Sequence, residues 1–248
     1  MARILCIGDS HAEMIGTDLD AYPFKYGKIT PRKFQKQAGF VLSVRAATAG
    51  GIANQGSQTQ SRRLAEASIS RLKPDLICFG FGQVDAEITC YLHALRNAGK
   101  VPENRHVYFR NTYARYLQSC KEIAGEKRFV IKGINPATFR SDDSVRDYIG
   151  SQLKRYLDVE NEIAQNCLLE FLGVNLEKHC EINQTAMLAL RELCHDNNVP
   201  YFDIRNLVSD PATCGLARKE FTRRRPDPHL VLSGVERAKT VSRLLALM

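Results

Sequence analysis

Ile4-Leu5-Cys6-Ile7-Gly8-Asp9-Ser10-His11 stands at the start of the chain, and its reading decides the fold. Four apolar residues in a row, stopped by Gly-Asp-Ser, have the length and the boundary of a strand buried on both faces. Strands of that kind belong to parallel sheets, and open α/β sheets place their active sites just beyond the strand carboxyl ends. Ser10 occupies that position. Three further runs share this character: Phe40–Ala46, Asp75–Phe81 and Arg128–Ile134. A shorter one, Tyr201–Ile204, follows Val199-Pro200. The intervening stretches Thr59–Leu72, Ala86–Arg96, His106–Ile123, Val145–Leu172, Leu176–His195 and Leu232–Leu247 have helical spacing, with a break near Gly173. This alternation predicts an α/β fold, a doubly wound and mainly parallel sheet between two helical layers. Residues 1–248 are expected to form one domain with a helical elaboration at about 140–198.

The bulk composition excludes several classes. With 44% hydrophobic and 25% charged residues, the 248-residue chain is ordinary globular protein and not disordered. No apolar run approaches the length of a membrane span. Met1-Ala2-Arg3 leads straight into the first strand without an apolar leader, and the eight cysteines include no Cys-x-x-Cys pair. Both features point to a reduced, cytoplasmic protein. The net charge is +8, and much of the excess sits in Arg218-Lys219 and Arg223-Arg224-Arg225. That cluster is either a solvated face or a contact for an anionic group, such as an acidic glycan, a nucleotide-linked donor or a phosphate. No helix-turn-helix, RNP or zinc-finger pattern accompanies it, so nucleic acid is not the expected partner.

In a doubly wound sheet the loops after neighbouring strands converge on one edge. Here those loops carry Gly8-Asp9-Ser10, Thr48-Ala49-Gly50-Gly51 and Gly80-Phe81-Gly82-Gln83-Val84-Asp85. The segment before the last helix carries Pro226-Asp227-Pro228-His229-Leu230. Acyl transfer needs a nucleophile, a base for its proton, a group that orients the base, and donors where the oxyanion develops. Taken singly, each block has a plainer reading. Gly-Asp-Ser after a strand is a helix N-cap, and a histidine near a C-terminus is a surface residue. The order of the blocks together favours chemistry. His179-Cys180 and Cys194-His195 lack a metal-knuckle spacing, so no metal is expected, and the aromatic residues of His106–Leu117 read as core.

The blocks resemble those of the SGNH/GDSL hydrolases, and within them bacterial SGNH-like proteins linked to surface-polysaccharide synthesis. The resemblance covers residues 1–135 and the tail from Arg225, on Gly8–His11, Thr48–Ile52 and Gly82–Asp85. It implies a three-layer, flavodoxin-like fold and makes Ser10 the nucleophile and His229 the base. Gly50 is then the oxyanion amide, with Gly51 the alternative because the two glycines blur the register. The oxyanion asparagine of the family falls on Val84, so the neighbouring Gln83 amide is the substitute donor. Asp85 supports the site or caps the following helix, and His11 belongs to the pocket. The family aspartate three residues before the histidine is replaced by Pro226. Asp227 stands two before, between prolines, and either it or a backbone carbonyl orients His229. The expected function is a serine esterase or acyl-transfer enzyme for O-acyl esters of a carbohydrate, without a cofactor. The alternative is a catalytically weak module that binds an anionic glycan or another acidic ligand, and a third reading has the basic cluster bind an acidic polymer.

Overall fold

The run that ends on Gly8 forms β1 (Ile4–Gly8), in the middle of an eight-stranded sheet. The computed structural model describes residues 3–15, 17–18, 22–23, 27–34, 37–96, 104–157, 162–213, 215–223 and 227–247. The other strands are β2 (Thr17–Asp18), β3 (Tyr22–Pro23), β4 (Gly27–Phe34), β5 (Gln37–Val44), β6 (Leu76–Gly80), β7 (Arg128–Lys132) and β8 (Tyr201–Phe202). The order is β2-β4-β5-β1-β6-β7-β8, with β3 also paired to β4. From β5 to β8 every pair is parallel. In chain order that section runs second-first-third-fourth-fifth, the flavodoxin order, and its switch point lies beside β1. Ser10 therefore emerges where the loops after β5 and β6 diverge.

The parallel section of the sheet is buried on both faces, which explains the unbroken apolar runs. Leu5, Ile7, Leu42, Phe79 and Ile131 enter one core, and Ile4, Cys6, Val41, Cys78 and Val130 enter the other. The first core is covered by α2 (Ser61–Leu72), which follows the short α1 (Ala49–Ile52), and by α4 (Arg105–Ala124), which follows α3 (Cys90–Arg96). It also takes residues of α5 (Asp142–Leu157), α6 (Glu162–Phe171) and α7 (Leu176–Asp196). The second core is covered by α8 (Arg205–Val208) and α9 (Gly234–Leu245). Phe109, Tyr113 and Tyr116 of α4 are fully buried.

Two parts of the architecture differ from the sequence expectation. The antiparallel strands β2, β3 and β4 extend the sheet beyond β5. Gly27–Phe34 is largely polar and contains Pro31, a pattern that argues against a strand. Pro31 is accommodated because β2 pairs with residues 32 and 33 and β3 with residues 28 and 29, leaving position 31 between them. The expected helix Val145–Leu172 is resolved into α5 and α6, with residues 158–161 outside the described set.

Gly8 shows why β1 ends as it does. Its register partner is Gly80, and a Cβ at Gly8 would lie 2.5 Å from the Gly80 carbonyl oxygen and 2.8 Å from the Ala12 Cβ. The missing Cβ at Gly8 lets the end of β1, the Gly80 backbone and the turn that carries Ala12 pack this closely.

Candidate active site

Asp9 begins the turn after β1. Its Oδ1 accepts the His11 amide at 2.9 Å and so caps a short 3-10 turn, Ser10–Met14. The turn projects Ser10 and His11 to the carboxyl edge of the sheet. His229 approaches from the segment before α9, and its Nε2 lies 2.8 Å from Ser10 Oγ. Asp227 Oδ1 lies 2.7 Å from His229 Nδ1 and also accepts the His229 amide at 2.8 Å. The two-residue spacing thus works as an Asx turn, in which a side chain accepts the amide two residues ahead. The second carboxylate oxygen accepts from Arg223 at 2.9 Å, and the Asp227 carbonyl accepts from Thr138 Oγ1 at 2.8 Å. Partial burial pushes the Asp227 pKa up, but the amide and imidazole of His229, with Arg223, outweigh it and hold the group below its ordinary value.

The second block supports the site from the side. Thr48 caps α1 by accepting the Gly51 amide at 2.7 Å, so that amide is taken up. The Gly50 amide has only a long contact, 3.5 Å, to Asp85 Oδ1. Asp85 Oδ2 accepts the Ala49 amide at 2.7 Å, which ties the third block to the second. Burial pushes the Asp85 carboxyl up to about 6 against these amide hydrogen bonds.

Gln83 has a different environment from the one expected of a substitute oxyanion donor. Its Nε2 donates to Glu87 Oε1 at 2.7 Å, and its Oε1 accepts the Asn135 amide at 2.7 Å. It is buried behind the cavity, whereas Val84 is on the cavity wall. Glu87, within a π-helical turn at Asp85–Thr89, stands four residues after Gln83, a helical spacing that puts the two side chains on one face. Glu87 Oε2 accepts from Tyr148 of α5 at 3.2 Å and lies 3.7 Å from His11 Nε2. Burial pulls the His11 pKa down, but Glu87 more than reverses this and the net shift is upward. Burial likewise pushes Glu87 up, and His11 with the Gln83 amide outweighs it, so Glu87 is lowered. The His11 ring stacks on His229, centroid to centroid 4.4 Å and 15° from parallel. Glu87, Tyr148, Asn135 and Thr138 were not singled out from the sequence. Only the helical spacing of Gln83 and Glu87 carried a signal for them.

These groups line or support one cavity of 690 Å³, with Ser10, His229 and Asp227 on its wall. Arg224, Arg225 and Pro226 lie outside the described residues. His179 is a core residue stacked on Tyr91, and burial pulls its pKa down to about 4. No cluster of potential metal ligands occurs among the described residues. No described helix is long and apolar enough to cross a membrane.

A doubly wound sheet with a serine, a histidine and an aspartate hydrogen-bonded in series at its carboxyl edge defines a class, and comparison with known proteins gives the family. The family model of the GDSL-like lipase/acylhydrolases matches residues 4–227, and the chain belongs to this family. The match stops two residues short of His229. Solved structures resemble the chain at low identity. A provisionally described acylhydrolase of Bacteroides fragilis NCTC 9343 is 11% identical, with a TM-score of 0.50 over 99% of this chain and 85% of that one. A GDSL-like lipase of Bacteroides thetaiotaomicron VPI-5482 is 10% identical, with a TM-score of 0.49 over 99% and 86%. A provisionally described lipolytic protein of the G-D-S-L family from Desulfitobacterium hafniense DCB-2 is 12% identical, with a TM-score of 0.49 over 100% of both chains. A search of curated proteins found no match.

Proposed function

We propose that the chain is a serine esterase for O-acyl esters, with Ser10 as nucleophile, His229 as general base and Asp227 as the carboxylate that orients the base. The observation that carries this reading is the unbroken series Ser10 Oγ, His229 Nε2, His229 Nδ1, Asp227 Oδ1, with links of 2.8 and 2.7 Å. Ser10 Oγ attacks the ester carbonyl carbon while its proton passes to His229 Nε2. The imidazolium that forms is stabilised by Asp227. Collapse of the tetrahedral intermediate breaks the bond to the alcohol oxygen, which leaves with the proton from His229. Water, activated by His229 in turn, releases the acyl group from Ser10.

The oxyanion takes the amides of Ser10 and Gly50. Gly50 is favoured over Gly51 because the latter donates to Thr48. With Val84 in the asparagine position and Gln83 bonded to Glu87, the site works without the family's third donor, or with the remaining Nε2 proton of Gln83. Asp85 holds the Gly50 loop in place. The resemblance of the sequence blocks to proteins of surface-polysaccharide synthesis makes a carbohydrate hydroxyl the proposed alcohol component. A second hydroxyl in place of water would make the reaction an acyl transfer.

Turnover of p-nitrophenyl acetate by the wild type, Ser10→Ala and His229→Ala tests the reading. Loss of about a thousandfold or more in kcat in both variants is expected. A wild type no faster than Ser10→Ala would favour the binding-module reading, to which the missing donor at Val84 already points.

A further inference from the structure

The cavity over Ser10 has a charge pattern that ester cleavage alone does not use. Its wall carries cations from separate parts of the chain: Lys28 on β4, Arg45 after β5, Arg155 on α5, Arg223 ahead of His229, and Arg237 on α9. The carboxylates on the same wall are Glu13, Glu87 and Asp227. Each has a partner: Glu13 pairs with Lys28 at 2.8 Å, Asp227 with Arg223 at 2.9 Å, and Glu87 with His11 at 3.7 Å. Arg45 and Arg155 are exposed to the cavity and have no carboxylate partner among the described residues.

The placement of Arg155 is a property of its helix. Tyr148, Ser151, Gln152 and Arg155 recur at helical spacing and all line the cavity, whereas Val145, Ile149 and Leu153 form the buried stripe of the same helix. So α5 packs with one face and turns a polar, hydrogen-bonding face toward Ser10. A concave wall with an excess of cations over carboxylates focuses a positive field on whatever enters. Guanidinium groups match the oxygen pairs of carboxylates and phosphates.

We infer that the ester cleaved at Ser10 is anionic, with a carboxylate or phosphate beside the ester bond held by Arg45 and Arg155. The inference rests on the esterase reading and narrows its substrate class. Arg223 takes no part in this contact, because it is engaged by Asp227, which orients the base.

The test compares acetate esters of one acyl group with different charges on the leaving phenol: acetoxynitrobenzoate, acetoxynitrobenzenephosphonate and the neutral acetoxynitrobenzamide. At low salt kcat/KM should favour at least one anionic ester by about tenfold or more after correction for phenol pKa, chiefly through KM. Which anion leads separates carboxylate from phosphate recognition. The preference should shrink at high ionic strength, as screening predicts. Arg155→Gln and Arg45→Gln should each reduce the anionic-to-neutral ratio by about threefold to tenfold, and Arg155→Lys should retain part of it. Equal use of charged and neutral esters by the wild type would overturn the inference and leave the esterase reading intact, as would a ratio that neither substitution moves. Absence of turnover with all three esters would remove the esterase reading and the inference together.

Discussion

Replacing Glu87 by glutamine removes the charge from a buried pair beneath the base. Glu87 and His11 are 3% and 4% exposed and 3.7 Å apart. Opposite charges at that separation attract by about 4 kcal/mol at an effective dielectric of ~20. Lost solvation offsets part of this, and His11 can release its proton once its partner is neutral. A net cost of about 2–3 kcal/mol is therefore expected for Glu87→Gln, below the usual ~3–5 kcal/mol for a broken buried pair. The pH dependence carries the mechanism. The Glu87 pKa is lowered, so its contribution is present above the unfolded value of 4.5 and is lost as pH falls through the folded value. The His11 pKa is raised, so its contribution is present below the unfolded value of 6.5 and is lost as pH rises through the folded value. The cost of the substitution should peak between these two values and shrink on the alkaline side. The chain has no tryptophan, so urea unfolding followed by far-UV circular dichroism is the suitable assay. In thermal scans the loss corresponds to about 5–10 °C. A cost that stays constant from about pH 5 to 9 would refute the charge pair and leave only lost hydrogen bonds to Gln83 and Tyr148, whose strength does not follow this titration.

Asp227→Asn should fold normally yet reduce kcat on p-nitrophenyl acetate by about a thousandfold to ten-thousandfold, because the amide no longer selects the right imidazole tautomer. Thr138→Val removes the 2.8 Å bond to the Asp227 carbonyl and should lower kcat several-fold with little change in KM. Asp85→Asn deprives the Ala49 and Gly50 amides of a charged acceptor and should lower kcat by about tenfold if the Gly50 amide serves the oxyanion. Gly82→Ala should destabilise the protein by about 1–3 kcal/mol in urea titrations. Gly82 has φ +113°, and its Cβ would meet the Tyr113 ring at 3.2 Å.

The parallel half of the sheet was legible because burial on both faces leaves continuous apolar runs, as in Ile4–Ile7 and Leu76–Phe79. The β2–β4 extension was not, because Gly27–Phe34 has neither such a run nor a clear alternation and contains a proline. The convergence of Ser10, His229 and Asp227 was legible through the order of the blocks. The reach of Asp227 was not, since it depends on a turn in which one oxygen meets both the amide and the ring of His229. Gln83 stands in the right block, but its partners Glu87 and Asn135 come from a π-helical turn and from the loop after β7. No local pattern records the bond to Asn135, 52 residues on, whereas the bond to Glu87 keeps helical spacing. Tyr148 entered the site for the same reason, from a helix whose periodicity spoke only of its core face.

The central claim is that Ser10 is an activated nucleophile. Its most direct test is labelling of the purified protein with a fluorophosphonate probe, with the modified peptide located by mass spectrometry. The account predicts a single phosphonylated site at Ser10, absent in Ser10→Ala and strongly slowed in His229→Ala. An unlabelled wild type that is folded by circular dichroism, or labelling that persists in Ser10→Ala, would contradict it.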